Sequence, residues 1–418
     1  MISAIFAREI LDSKGDPTVE VSLSLSDGST AIDSVPSGAS TGANEAFELH
    51  DNDPNWYGGK GVKKAVENIN KIISNSILNK EFFTQRDLDN ALISLDGTPN
   101  KQNLGANAIL AVSLTFARST AISIKKPLYR YLGDIIGNST FKLPTPLVLL
   151  LEGGKHGNWS TDIQEYMVLP KPVFSSFSTC LEACEDVYLA LEKILKEKNY
   201  STGVGFEGAF CPPEISSNEE ALDLICQAII KAGYTYPNQF VIALDLAASE
   251  FFQDNQYLLR SENNATYQSD QWQEKILNWT QKYPLYSLED AFDQNQWDNW
   301  SKLNSLIGHD HLIVGDDLTT TNTSRIKTAI DQKAINSTLI KLNQIGTVSE
   351  TLDAISLTLS AGFTSIVSHR GGETNDDFVA DLVVGSGSTI CKFGGPSRGE
   401  RIAKYNRLLS IETELSQS

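Results

Sequence analysis

The sequence predicts an α/β chain: an eight-stranded β/α (TIM-like) barrel whose first two strands pair antiparallel, preceded by a smaller α+β domain. Two patterns carry that prediction. In the C-terminal half, six short apolar runs each end on a charged residue: VIALD at Asp245, LYSLE at Glu289, LIVGD at Asp316, TLIK at Lys341, TSIVSH at His369 and STICK at Lys392. Their ends lie 44, 27, 25, 28 and 23 positions apart, room for a strand, a helix and two loops per unit once the first gap is given an insertion. That is the rhythm of parallel strands joined by crossover helices. Near the N-terminus, TVEVSLSL over residues 18–25 alternates strictly and places Val19, Val21, Leu23 and Leu25 on one face of a strand.

The remaining elements follow in order. Asp27-Gly28 turns the first strand back as a hairpin. The stretch VPSGASTGANEAFEL holds Ser37, Gly38, Ser40, Thr41 and Gly42 within six residues and reads as a mobile loop. Helical patterns cover 62–75, 84–95 and 107–124, which completes an α+β domain over residues 1–140. GNSTFKLPTP, polar and with two prolines, marks the boundary, so the barrel domain spans 141–418. Within it, apolar segments at 147–151 and 163–169 are too close for a crossover helix and should pair antiparallel. Helices at 176–197 and 217–232 precede the six repeated units, and the strand count reaches the eight a closed barrel needs.

Composition bounds the function. The chain has 418 residues, 41% hydrophobic and 21% charged, an ordinary globular balance. A net charge of -18 argues against nucleic acid and anionic membrane surfaces as partners. MISAIFAREILDSKG reaches Arg8 and Glu9 before any apolar stretch is long enough for a signal peptide, and no later run approaches a membrane span. The expectation is a soluble cytoplasmic protein. Cys180, Cys184, Cys211, Cys226 and Cys391 are scattered and odd in number, which reads as free thiols in a reducing compartment.

The strand ends carry chemistry. In a barrel, the C-terminal ends of the strands open onto one face, and that face holds the active site. Asp245, Glu289 and Asp316 would bring three hard oxygen ligands there, a set suited to Mg2+ and not to zinc. Any one of them alone also fits a helix cap; three consecutive units ending alike favour the metal. Lys341 comes next, and cationic neighbours would lower its pKa enough for it to accept a proton. Read singly, Lys341 also fits a plain ion pair with Asp316. Arg370 supplies a guanidinium fork for phosphate or carboxylate, and Lys392 adds a fixed positive charge.

The strings DSKGDPTVEV, VPSGASTGANEA, LISLDGTPNKQNLGANAILAVSL, QEYM, LDLAASEFF, SLEDAF, GDDLTTTN, IKLNQIGT, SHRGGETNDDFVADLVVG and GERIAKYN occur in this order along the chain. Through them the sequence resembles the enolase family over essentially its whole length. The resemblance implies an enolase-type barrel and the Mg2+-dependent dehydration of 2-phosphoglycerate to phosphoenolpyruvate, in glycolysis and gluconeogenesis. It implies two Mg2+ per active site: one on Asp245, Glu289 and Asp316, on which the substrate carboxylate lands, and a second on Ser40 in the mobile loop. Lys341 would be the base that takes the proton from carbon 2. Glu207 would be the acid that protonates the departing hydroxyl, with Glu165 raising its pKa and sharing the proton. Gln164, His156, His369, Gly371 and Lys392 would line the substrate site and Arg370 would grip the phosphate. Family members are homodimers in which residues such as Arg8 and Glu20 pair with charges near the C-terminus.

The chain departs from the family pattern beside these residues. GFEGAF puts Phe206 where an aspartate is usual and Ala209 where a glycine is usual. Glu152 replaces an asparagine, which adds a negative charge expected beside the phosphate site. GGKHGN stands for GGSHAGG, Gly371 replaces a serine, and Ala291 replaces a proline. Ser410 and Thr413 stand where charged dimer partners are expected. A paralog with impaired or no catalysis, acting as a binding or scaffold protein, is therefore an alternative. Another Mg2+-dependent dehydratase or lyase acting on a carboxylate is a second.

Overall fold

A computed structural model describes residues 1–38, 42–157 and 159–417. The chain opens with an antiparallel sheet in the order β1 (Ile2–Leu11), β2 (Pro17–Leu25) and β3 (Thr30–Ser34). Val19, Val21, Leu23 and Leu25 of β2 are buried, as their alternation predicts, and the turn before β3 uses Gly28 at φ +91°. Their face packs on the helix Ala106–Ser123. The helical pattern at 62–75 is realised as Lys63–Glu67 and Ser74–Ile77 joined through a π-helical stretch, Asn68–Ile73. Asn70 in that stretch docks on β1, accepting from Ala7 N at 2.8 Å and donating to Ala7 O at 2.9 Å. The half-buried carboxamide thus pairs with backbone groups on the sheet.

The second part is the closed barrel β4 (Thr145–Glu152), β5 (Glu165–Pro170), β6 (Phe240–Asp245), β10 (Leu285–Glu289), β11 (Leu312–Gly315), β12 (Ser337–Ile340), β13 (Thr364–Ser368) and β14 (Ile390–Lys392). Between β6 and β10, the allowed insertion is a small antiparallel sheet of β7 (Phe252–Gln253), β8 (Gln256–Leu259) and β9 (Ala265–Tyr267). β5 runs antiparallel to both β4 and β6, and the other barrel pairings are parallel. Leu147, Leu149, Met167, Val241, Ala243, Val314, Leu339, Ile366 and Ile390 form an inner cluster, separate from the larger core under the helices. Strands buried on both faces read as unbroken apolar runs, which is why VIALD and TLIK do not alternate.

The two parts meet over the C-terminal ends of the barrel strands. Ser37 and Gly372 exchange backbone hydrogen bonds of 2.7 and 3.0 Å. Arg118 reaches Asp33 at 2.6 Å and Asp377 at 3.0 Å, and Lys101 reaches Glu350 at 3.0 Å. The five cysteines are free thiols. Among the described residues, no single helix is long and apolar enough to cross a membrane.

Candidate active site

Each of the six charged residues singled out in the sequence sits at, or one position beyond, the C-terminal end of its strand. Parallel register at consecutive strands aligns them: Glu289 pairs with Asp245, and Ser368 with Lys392. A small cavity lies there, lined by His156, Gln164, Glu165, Glu207, Asp245, Lys341, Ser368, His369, Arg370, Gly371 and Lys392. Glu289 and Asp316 join it through lysine partners. Ser40 falls outside the described residues.

Lys392 stands in the middle of the carboxylates. Its Nζ lies 3.0 Å from Asp245 Oδ2, 2.8 Å from Glu289 Oε1 and 3.0 Å from Glu165 Oε2. Burial works against its charge, but those three carboxylates outweigh it and hold the ammonium well above the usual lysine range. Asp316 is claimed by Lys341 Nζ at 2.5 Å and by Gln344 Nε2 at 2.8 Å. The expected set of Asp245, Glu289 and Asp316 is therefore interleaved with ammonium groups, and Asp316 also belongs to an acid group with Asp290 and Asp317, one oxygen of each lying within 4.8 Å of the others. Burial and then the charge of Asp245 push Glu289 well above the usual carboxylate range, and burial with Asp316 pushes Asp317 to about 7. Buried oxygen donors that repel one another in this way fit a hard divalent cation.

Among the protein groups alone, two pKa directions run opposite to those expected. Lys341 is raised: burial would lower it, and Arg370 and Lys392 help, but contact with Asp316 prevails. Glu207 is lowered well below the usual range. Burial raises it, but imidazoles at 3.4 Å (His369 Nε2) and 3.5 Å (His156 Nδ1) outweigh that. The two imidazoles diverge: Glu207 overcomes burial and raises His156, whereas burial pushes His369 down to about 4. Arg401 Nη1 donates to His369 Nδ1 at 2.6 Å, so the neutral ring keeps its proton on Nε2, toward Glu207. Glu165 is pushed to about 8, first by burial and against the pull of Lys392. One atom of each of His156, Glu165 and Glu207 lies within 4.8 Å of the others, close enough for the three to share the proton expected on Glu207.

Glu152, expected beside the phosphate site, turns inward at the end of β4. Its Oε1 accepts from Glu207 N and Ala209 N, each at 2.9 Å. Phe206, by contrast, points outward and is 41% exposed. Arg370 engages Glu45 of the N-terminal part at 2.9 Å and Asn343 Oδ1 at 2.7 Å, so a carboxylate already meets the fork expected to take phosphate. The Gly371 carbonyl accepts from Arg401 Nη2 at 2.7 Å.

Sequence reasoning missed Asp290, Asp317, Gln344 and Arg401. Asp290 accepts from Asp316 N and Asp317 N at 3.0 Å and so fixes the turn after β11. The acid doublets Glu289-Asp290 and Asp316-Asp317 at neighbouring strand ends were the available signal. Nothing local marks Arg401, which reaches the site from the C-terminal helix Gly399–Ser416.

Two family models match the chain: "Enolase, N-terminal domain" over residues 2–132 and "Enolase, C-terminal TIM barrel domain" over residues 140–418.

Proposed function

The chain belongs to the enolase family, and from that premise we propose that it is a hydro-lyase converting 2-phospho-D-glycerate reversibly to phosphoenolpyruvate in glycolysis and gluconeogenesis. The family is Mg2+-dependent, and a buried acidic cluster able to hold a metal is present. The observation that carries the reading is one cavity lined by an amine (Lys341), a carboxyl group beside Glu165 and His156 (Glu207) and a guanidinium (Arg370), all but Lys341 buried.

Asp245, Glu289 and Asp316 would hold Mg2+, with Ser40 expected for a second ion, and the bound cation would supply the fixed positive charge that makes a hydrogen next to a carboxylate acidic. Lys341 takes the proton from carbon 2 at Nζ. It does so in its neutral form, so its contact with Asp316 must loosen first, helped by Arg370 and Lys392. Glu207 protonates the leaving hydroxyl of carbon 3, with Glu165, pushed to about 8 and within 4.8 Å, beside it to share the proton. Arg370 releases Glu45 and takes the phosphate in the same bidentate geometry.

The same reading makes the protein a cytoplasmic homodimer. Phe6, Leu11 and Ile32 are exposed apolar side chains on the N-terminal sheet, and Arg8 lies 2.6 Å from Glu20 across β1 and β2. Incubation of purified protein with 2-phosphoglycerate and Mg2+, followed by the ultraviolet absorbance of phosphoenolpyruvate, tests the activity. Turnover is expected. Binding without turnover would point to a non-catalytic paralog, and turnover of unphosphorylated acids alone to a different dehydratase.

A further inference from the structure

Glu152 is a buried carboxyl for which the proposed reaction has no use. It is 1% exposed, and its Oε2 has no hydrogen-bond partner among the described residues. Its Oε1 is the acceptor for the two amides that flank Gly208, those of Glu207 and Ala209. Gly208 has φ +84°, and its turn presents Glu207 to the cavity. A side chain at Gly205 would bring its Cβ within 2.2 Å of Glu152 Oε2, so carboxyl and turn interlock. The backbone of Glu152 makes the other attachments: its N–H donates to Phe210 O at 2.8 Å, and its carbonyl accepts from Ser160 Oγ at 3.2 Å. Among the described residues, the side-chain cations that meet the Glu207 carboxylate are two imidazoles, at 3.4 and 3.5 Å, longer than a good hydrogen bond, so its place is set mainly through the backbone.

We propose that Glu152 is a positioning residue, whose Oε1 clamps the Glu207 and Ala209 amides and so fixes the Glu207 carboxyl between His156 and His369. Burial, and next the charge of Glu207, push Glu152 to about 8, so at neutral pH it accepts as a neutral acid. Glutamine reproduces that acceptor; alanine leaves two buried amides without one. The inference rests on the proposed acid role of Glu207, and the test keeps the two separable.

Wild type, Glu152→Gln and Glu152→Ala are compared for kcat and KM with 2-phosphoglycerate and Mg2+, and for hydrogen exchange at the Glu207 and Ala209 amides. Glu152→Ala should lose on the order of 10²-fold in kcat, the scale of a misplaced catalytic group, with KM little changed, and its two amides should exchange faster. Glu152→Gln should restore most of both. Equal kcat in wild type and Glu152→Ala, or a Glu152→Gln as damaged as Glu152→Ala, overturns the proposal. If wild type does not turn over 2-phosphoglycerate, the acid role of Glu207 fails, but the exchange still decides the clamp: equal rates in all three proteins overturn it. Should Glu152→Ala not fold, Glu152→Asp, one methylene shorter, withdraws the same oxygen.

Discussion

Lys341 Nζ donates to Asp316 Oδ2 at 2.5 Å, from residues that directly follow the neighbouring strands β11 and β12. One residue is the proposed base and the other a proposed metal ligand. The contact raises Lys341 and lowers Asp316 below the usual carboxylate range despite its burial. A cation that takes the Asp316 oxygen competes with the ammonium, so occupancy of the acidic cluster and basicity of the lysine are linked.

Mg2+ should therefore stabilise the protein and release protons on binding, because Glu289 is held well above the usual carboxylate range by burial and by Asp245. At a concentration of about 100 times Kd, the gain should be roughly 2.7 kcal/mol. Denaturant unfolding with and without Mg2+, and titration calorimetry in buffers of different ionisation enthalpy, measure both effects. An unchanged midpoint and no proton release would contradict the assignment of the cluster.

Arg401 is fully buried and donates to His369 Nδ1, to the carbonyls of Arg370 and Gly371, and to Phe206 O. Arg401→Met should destabilise by about 3–5 kcal/mol, the range for breaking a buried charged network. It should also raise the pKa of His369 from about 4, since burial still lowers it but the Arg401 charge is gone. Histidine NMR titration reads the shift. A His369 that titrates as in wild type would show that burial alone sets its state.

Glu152 predicts a pH dependence of stability. Its folded-state pKa is raised from 4.5 to about 8, chiefly by burial, so the folded state binds the extra proton between those values. That contribution is fully present below about 4.5 and is lost as pH rises through about 8. Between pH 5 and pH 8.5, wild type should therefore lose stability relative to Glu152→Gln, which has no such titration. Parallel stability curves would show that Glu152 does not hold a proton.

The barrel is legible in the sequence because its strands are buried on both faces and so stand out as apolar runs ending on charge. Strand β1 is harder to read. ISAIFAREIL mixes buried and exposed positions without strict alternation. The helix Leu128–Ile136 is short, and the small β7–β9 sheet lay inside a gap that sequence could mark only as an insertion. Residue identities at the candidate site were also legible, but its protonation was not. The charge on Lys341 depends on a 2.5 Å contact, and that on Glu207 on two imidazoles from different segments. The partners of Glu152 were not legible for a related reason: the end of β4 bridges to Phe210, which sets its carboxyl against the Glu207 amide.

The central claim is the division of labour between Lys341 and Glu207, and exchange of the carbon-2 hydrogen of 2-phosphoglycerate in D2O with Mg2+ tests it most directly. Wild type should exchange that hydrogen and form phosphoenolpyruvate. Glu207→Gln should still exchange it while dehydration falls by about 10²–10⁴-fold, the usual weight of a general acid, and Lys341→Ala should lose both reactions. Exchange that persists in Lys341→Ala at the wild-type rate would contradict the account.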